Sequence, residues 1–208
     1  AAYATESKFF DKEILPAIGK NDNNFNDLVF SDEGIRFDAC LEKLAGLKPV
    51  TEGGVITAGN ASQITDGAAA VIICNDNGLK KIKANPRAEI VAISVVGDDP
   101  VFMLTGPIPA SKKVLEVANL SINDMDLYEV NEAFAPVPLA RANELNADQS
   151  KLNVNGGAMA LGHPLGATGA KLMTTLLHEM ERRKSKYGLQ AICEGGGTAN
   201  ATIIKRVS

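Results

Sequence analysis

The residue types best suited to chemistry lie in three short segments of the second half of this chain. His163 stands between Gly162 and Pro164 in a glycine-rich run over residues 156–169. Glycine costs backbone entropy, so such a cluster indicates close backbone approach or unusual φ/ψ angles. The run predicts a reactive imidazole on a tight loop at the start of a helix. Such an imidazole can act as a base or as an oxyanion donor, since its intrinsic pKa lies near neutrality.

Cys193 ends a predicted strand and is followed by Glu194 and the glycines 195–197. A cysteine in that place is usually a small buried apolar residue. Consecutive glycines after it, however, expose backbone N–H groups of the kind that an oxyanion hole needs. A thiol beside an imidazole can also titrate near working pH and act as an acid or base. We therefore favour a functional interpretation of this segment.

Asn131 follows a predicted strand and precedes Glu132 and Phe134. An asparagine there is often only a helix cap. Its amide could instead hold a water or a substrate oxygen, and the residues alone leave both interpretations open. Glu132 could orient a ring or a loop, or serve as an acid of a first helical turn. Phe134 by itself is typical of packing.

The elements that must position these side chains alternate between strands and helices, which indicates α/β layers. In the second half we predict strands over 89–96, 127–130, 189–193 and 202–205, and helices over 110–119, 136–145 and 168–184. In the first half we predict a helix over 2–15, a loop over 19–34 that contains at most one short strand, a helix capped by Asp38, a buried strand over 68–74 and a helix over 76–84. Asn85-Pro86 is the predicted domain boundary.

Composition narrows the functional classes. The 208 residues are 45% hydrophobic and 22% charged, with a net charge of −4, and they lack the basic footprint of a nucleic-acid-binding protein. No apolar run reaches membrane-spanning length. The three cysteines form neither a disulfide framework nor a zinc pattern, so we predict no metal site and a reducing compartment. Cys40 and Cys74 are predicted to be inert core cysteines.

Taken in order, these segments resemble the thiolase family. The matching pieces are Asn131-Glu132-Ala133-Phe134, the run around Gly162-His163-Pro164, and Cys193-x-Gly195. Residues 58–70 and 32–49 match the family as well. The resemblance implies an α/β condensing-enzyme fold layered αβαβα, with the end of the N-terminal half over residues 1–86 and the complete C-terminal half over 87–208.

The resemblance also implies an acyltransferase of lipid and fatty acid metabolism. It would cleave a 3-ketoacyl-CoA with CoA, or run the reverse Claisen condensation, through a covalent acyl-cysteine. His163 would activate the nucleophile, Cys193 would move a proton, Asn131 would hold a water of one oxyanion hole, and Gly195 would donate an N–H to another. Coenzyme A would be a substrate, with no tightly bound cofactor. The residues expected to contact it are Ser62, Ala58, Arg36 and Phe134.

One part of the family pattern is missing. The nucleophilic cysteine of thiolases lies in the N-terminal half, on a loop of small residues before a helix, and the surroundings of Cys40 and Cys74 do not match it. We therefore expect an incomplete catalytic unit, completed by an N-terminal half or a second chain, within a homo-oligomer of the complete enzyme. The alternative is a non-catalytic partner subunit with a structural role. The expected location is cytoplasmic, or a mitochondrial or peroxisomal matrix.

Relatives of the thiolases are distinguished by the same residues. Ketoacyl synthases usually carry a second histidine where Asn131 stands, and sterol-carrier-type thiolases lack this Gly162-His163-Pro164 arrangement. Both branches are therefore disfavoured. The residues at Gln63 and Glu194 vary among thiolases and lean toward the degradative branch.

Overall fold

The structure is a computed structural model that describes residues 1–20 and 26–207. Its helices are α1 (Ala2–Glu6), α2 (Leu41–Ala45), α3 (Asp76–Ile82), α4 (Pro107–Ala118), α5 (Pro136–Glu144), α6 (Ala158–Leu161) and α7 (Thr168–Arg183). Its strands are β1 (Ala17–Lys20), β2 (Asn26–Val29), β3 (Ala88–Gly97), β4 (Leu127–Val130), β5 (Tyr187–Cys193) and β6 (Thr198–Arg206). Short 3₁₀ helices cover Phe9–Lys12, Ile122–Asp124, Gln149–Lys151 and Gly195–Gly197.

The larger sheet has the strand order β3-β6-β5-β4. β6 lies antiparallel to both β3 and β5, whereas β4 and β5 run parallel. Parallel neighbours end at the same edge of a sheet, so the residues that follow β4 lie beside the end of β5. The backbone N–H of Asn131 accordingly donates to the carbonyl of Ala191, at 3.0 Å.

Helices cover both faces of this sheet. On one face, α4 contributes Ala110, Val114 and Leu115 to a core with sheet residues that include Tyr128 and Ile203. On the other face, Leu176 and Met180 of α7 pack against Leu127 and Ile204. Neighbouring residues of a strand point to opposite faces, which explains why Ile203 and Ile204 belong to different clusters. The α/β layering predicted for this region is confirmed.

Several predicted elements of the second half match closely. β4 has the predicted bounds, and α7 ends one residue before the predicted end. α4 begins earlier than predicted, at Pro107, because a proline at the first helical position loses no hydrogen bond there. The predicted boundary at Asn85-Pro86 falls in the connection between α3 and β3, and the division into two domains stays a prediction.

The first half departs further from the predictions. The helix predicted over residues 2–15 is α1 followed by a 3₁₀ helix, because Lys8 adopts a left-handed conformation with φ of 60°. α2 is preceded by Cys40 in the capping position, so the prediction that Asp38 caps it is wrong. The predicted loop over 19–34 contains β2, in line with the one short strand allowed there, and also the end of its antiparallel partner β1; residues 21–25 lie outside the described residues.

The prediction of a buried strand over residues 68–74 is wrong. The segment is exposed, and it has no strand partner among the residues that the structure describes. Cys40 and Cys74 are exposed too, so they are not core residues. A run of small and branched residues becomes a buried strand only when neighbouring strands pair with it and helices cover it. Across residues 1–20 and 26–207, no helix is both long and apolar enough to cross a membrane.

Candidate active site

Asn131 and His163 meet at the end of β4. The Asn131 side chain is fully buried, and its Nδ2 lies 3.2 Å from Nε2 of His163. The histidine arrives on the loop between α6 and α7, and its own backbone N–H donates to the carbonyl of Gln63 at 3.1 Å. Sequence reasoning therefore identified two residues that the fold brings into direct contact.

The hydrogen bonds around His163 specify its tautomer. The Thr168 hydroxyl donates to the carbonyl of Pro164 at 3.0 Å, so its oxygen accepts from Nδ1–H of His163 at 2.7 Å. Nε2 then carries the lone pair of a neutral imidazole and accepts from the Asn131 amide nitrogen. The Asn131 Oδ1 is buried without a hydrogen-bond donor among the described residues. It is the acceptor that this arrangement leaves for an incoming group.

The protein environment shifts the pKa values of His163 and Cys193 in opposite directions. Burial lowers the pKa of His163, and the positive charge of Lys171 lowers this pKa further. Burial raises the pKa of the Cys193 thiol, and the charge of Glu194 adds to that rise against an opposing backbone hydrogen bond. A neutral imidazole and a protonated thiol are thus both favoured near neutral pH. When the environment moves the pKa values of two neighbouring groups apart in this way, one group is suited to act as a base and the other as an acid. Here His163 is the group suited to act as the base, and Cys193 is the group suited to act as the acid.

Both groups line one cleft of about 480 Å³. That volume lies within the usual range of small-molecule sites. The cleft is formed by the loop before α4, the start of α7, the end of β5 and the glycine turn after it. Its lining residues are Met103, Leu104, Ala133, His163, Leu165, Thr168, Gly169, Ile192, Cys193, Glu194, Gly195 and Asn200.

Glu194 is fixed beside the thiol by the hairpin that joins β5 to β6. Its backbone N–H donates to the carbonyl of Thr198 at 2.9 Å, and its carboxylate accepts from the Thr198 hydroxyl and the Asn200 amide. Gly196 and Gly197 have φ of 77° and 81°, which permits the tight turn between the strands. Gly195 opens this turn and faces the cleft.

Glu132 orients the loops of the site and does not cap α5. Its Oε1 accepts from the Asn153 amide at 2.7 Å, and its Oε2 accepts from the backbone N–H of Met159 at 3.0 Å. A β-carbon at Gly157 would overlap this carboxylate, so the glycine allows the approach. Of the two interpretations that the sequence left open for Glu132, the structure favours the loop orienter.

A strap from the first half, residues 60–65, crosses the histidine loop. Nε2 of Gln63 donates toward the carbonyls of Gly34, Met159 and Ala160 at 2.9–3.1 Å. The loop passes under the strap at Gly162, where φ is 86° and a β-carbon would overlap the Thr65 side chain. A glycine is therefore required both by the backbone conformation and by the space.

The residues expected to contact coenzyme A are distributed unevenly. The backbone N–H of Ser62 donates to the carbonyl of Ala133 at 3.0 Å, and Phe134 forms a bridge with Ala61. These two therefore lie next to the Asn131 segment. Ala58 and Arg36 are exposed, and none of the four residues lines the cleft. Their contact with a ligand stays a prediction.

Sequence reasoning missed the residues that position the site by hydrogen bonds to its loops and strands. Thr168 and Lys171 lie at the start of α7, Gln63 lies on the strap, and Asn153 pairs with the backbone of Val130 at 2.8 Å in both directions. The signal for Thr168 was its place five residues after His163, where a helix begins. The other three act on backbone groups distant in sequence, for which the sequence holds no local signal.

Comparisons with known proteins agree on one family. Residues 84–206 match the profile described as "Thiolase, C-terminal domain", and residues 1–77 match "Thiolase, N-terminal domain". A relative from Mycobacterium tuberculosis named steroid 3-ketoacyl-CoA thiolase FadA6 is 58% identical over 85% of this chain and 43% of that protein. An acetyl-CoA acetyltransferase from Cupriavidus necator is 42% identical over 99% of this chain and 53% of that protein.

Solved structures give the same result for the fold. The crystal structure of human mitochondrial 3-ketoacyl-CoA thiolase matches with a TM-score of 0.94 and 44% identity, over all of this chain and 52% of that one. The chain thus spans about half the length of the relatives it matches.

Proposed function

Because this chain belongs to the thiolase family, we propose that it supplies part of an acyl-transfer site that cleaves a 3-ketoacyl-CoA with CoA or runs the reverse condensation. The observation that carries the proposal is the contact of Asn131 Nδ2 with His163 Nε2, 3.2 Å apart, at a cleft that also holds Cys193. A base, a buried amide and a thiol acid are the groups that this chemistry requires.

The proposed cleavage starts at His163. Its Nε2 lone pair takes the proton of a nucleophilic thiol, and the thiolate attacks the keto carbon of the 3-ketoacyl-CoA. The bond between C2 and C3 then breaks, and its electron pair moves onto the departing acetyl-CoA as an enolate. Cys193, whose pKa is raised by burial, is suited to give its proton to C2 of that enolate. Cys193 then takes the proton of the CoA thiol, the CoA thiolate displaces the acyl group from the nucleophilic cysteine, and His163 returns its proton to that cysteine.

The oxygen atoms that become negative need hydrogen-bond donors. We assign one role to Nε2–H of His163, once the imidazole has taken the thiol proton, together with a water held by Asn131, and another to the backbone N–H of Gly195, at the turn that faces the cleft. Loss of one oxyanion donor typically costs about 3 kcal/mol of transition-state stabilisation. The CoA chain would approach along Ser62, Ala58 and Phe134, with Arg36 toward its nucleotide end.

The nucleophile is proposed to come from outside these 208 residues. Of the three cysteines, Cys40 and Cys74 are exposed and do not line the cleft, and Cys193 is assigned the proton transfer. The test is to assay acetoacetyl-CoA cleavage by this chain alone and together with an N-terminal thiolase half. Activity only in the mixture, abolished by His163→Ala, is the expected result. Full activity of His163→Ala would contradict the assignment.

The alternative is a non-catalytic partner subunit. The observation that favours it is the exposed apolar segment over residues 68–74, which suits a surface that another polypeptide covers. The same mixing experiment separates the two functions. If the mixture assembles but His163→Ala and Cys193→Ala leave its turnover unchanged, this chain has only a structural role.

We also propose that the acyl group lies against the apolar side of the cleft, formed by Met103, Leu104 and Ile192. An apolar wall gains free energy with each buried methylene, so it favours acyl groups larger than acetyl. Comparing acetoacetyl-CoA with a longer 3-ketoacyl-CoA in the assembled enzyme tests this. A preference for the longer substrate that Leu104→Ala changes would support it, and equal kcat/KM values would contradict it.

A further inference from the structure

Two side chains at the start of α7 reach back to the loop that carries His163. The Thr168 hydroxyl binds the carbonyl of Pro164, directly after the histidine. Lys171 Nζ donates to the carbonyl of Leu161, two residues before the histidine, at 2.8 Å. Residues three apart lie on the same face of a helix, so one face of α7 contacts the backbone on both sides of the imidazole.

We propose that Lys171 is a positioning residue for His163, fixing the backbone before the histidine as Thr168 fixes the backbone after it. Gly162, which lies between Leu161 and the histidine, has φ of 86° and no side chain with which to hold its own orientation. The loop is therefore held from other elements: the strap binds the backbone N–H of His163, and α7 binds the carbonyls of Leu161 and Pro164.

The charge of Lys171 also affects His163, because it favours the neutral imidazole. Burial lowers the pKa of this ammonium, and acids on three other elements only partly oppose that shift: Asp32 after β2, Glu13 after the 3₁₀ helix, and Glu129 on β4. The acids favour the charged lysine, and the charged lysine in turn favours the neutral form of His163. Lys171 therefore supports both the place of the imidazole and the lone pair on its Nε2.

This inference rests on the proposed function in one respect, namely that the neutral imidazole of His163 acts as a base. Its test needs neither coenzyme A nor a nucleophile. The chain has two histidines, so nitrogen-15 NMR of the histidine rings can follow His163 directly, with His178→Gln providing the assignment. The spectra report the pKa of His163, its tautomer, and the exchange rate of the Nδ1 proton held by Thr168.

Three variants are compared with the parent chain. In Lys171→Met we expect the pKa of His163 to rise and its Nδ1 proton to exchange faster. Lys171→Arg keeps the charge and the donor and should retain both parent values. Lys151→Met is the matched control, because Lys151 Nζ also donates to a backbone carbonyl at 2.8 Å, that of Met125. It should leave His163 unchanged.

The result that overturns the proposal is a folded Lys171→Met chain whose His163 has the parent pKa and the parent proton exchange. If Lys171→Met does not fold, Lys171→Gln replaces it, since glutamine keeps a donor without the charge. A higher pKa of His163 in Lys171→Gln than in Lys171→Arg supports the proposal, and equal values overturn it. Failure of thiolytic activity in the mixed assembly would leave these NMR results standing, so the two proposals fail separately.

Discussion

The two parts of this chain on either side of residue 88 are similarly rich in hydrophobic residues but use them differently. Residues from Ala88 onward form both clusters that pack against the larger sheet. Between residues 26 and 87, all of which are described, no side chain is fully buried. Ile72 is 83% exposed, whereas Ile203 is 0% exposed. Burial therefore depends on whether strands pair and helices cover a segment, and hydrophobic composition alone does not decide it.

The strap over residues 60–65 is the exception in the first part. It is only partly buried, yet it binds the carbonyls of Met159 and Ala160 and receives the backbone N–H of His163. The candidate site thus lies where the packed part and the exposed part touch. Variants on each side of this contact can separate what the core stabilises from what the strap stabilises.

The largest difference in the free energy of unfolding is expected between alanine substitutions of two isoleucines. Ile203→Ala should lower the free energy of unfolding by about 2–5 kcal/mol, because it removes a fully buried side chain and leaves a cavity. Ile72→Ala should change it by less than about 0.5 kcal/mol, since the side chain is exposed. Urea unfolding measures both. Equal losses would show that residues 68–74 are packed as tightly as the sheet.

The next effect is expected at the crossing of the strap and the histidine loop. Gly162→Ala should cost about 1–3 kcal/mol, because alanine at φ of 86° is strained and its methyl group overlaps Thr65. Gly166→Ala is the control, since a β-carbon there meets nothing within 4 Å. Thermal unfolding of the pair gives the comparison. If Gly162→Ala were as stable as the parent, the strap would not be in close steric contact with the loop at this residue.

A pH-dependent effect is expected at Glu13, where the N-terminal segment meets α7. Burial raises the pKa of Glu13 from 4.5 to about 7, against a lowering hydrogen bond from Thr175. A raised carboxyl pKa contributes stability below pH 4.5, and that contribution is lost as pH rises to about 7. Glu13→Gln does not titrate, so its stability relative to the parent should increase over this range by about 1–2 kcal/mol. Urea unfolding at pH 5 and pH 8 tests this, and a constant difference would contradict it.

The smallest loss of stability is expected when the side-chain amide of Gln63, on the strap, is removed. Gln63→Ala should cost about 1 kcal/mol, since it leaves the carbonyls of Gly34, Met159 and Ala160 without this donor. Hydrogen exchange should accelerate in residues 60–65 and 158–163 while the β5 and β6 amides keep their protection. Uniform acceleration across the chain would instead show that strap and sheet unfold as one unit.

Local patterns in the sequence predicted the second half of the fold well. β4 and α7 each carry a short-range signal, branched residues in the first and a helical apolar stripe in the second. The sequence failed at residues 68–74, because a branched run looks the same whether or not other strands pair with it. It identified His163 and Asn131 by type, but their contact depends on a sheet order that no local pattern encodes.

The anchors of the histidine loop have one property in common: each one binds a main-chain carbonyl. Gln63 binds those of Met159 and Ala160, Lys171 binds that of Leu161, and Thr168 binds that of Pro164. Every residue type offers the same carbonyl, so these contacts tolerate changes of side chain along the loop. They do not tolerate a change of its length, because one inserted or deleted residue would shift every carbonyl away from its donor. These contacts therefore fix the number of residues in the loop, whereas its composition is restricted separately at Gly157 and Gly162, where a β-carbon would overlap Glu132 and Thr65.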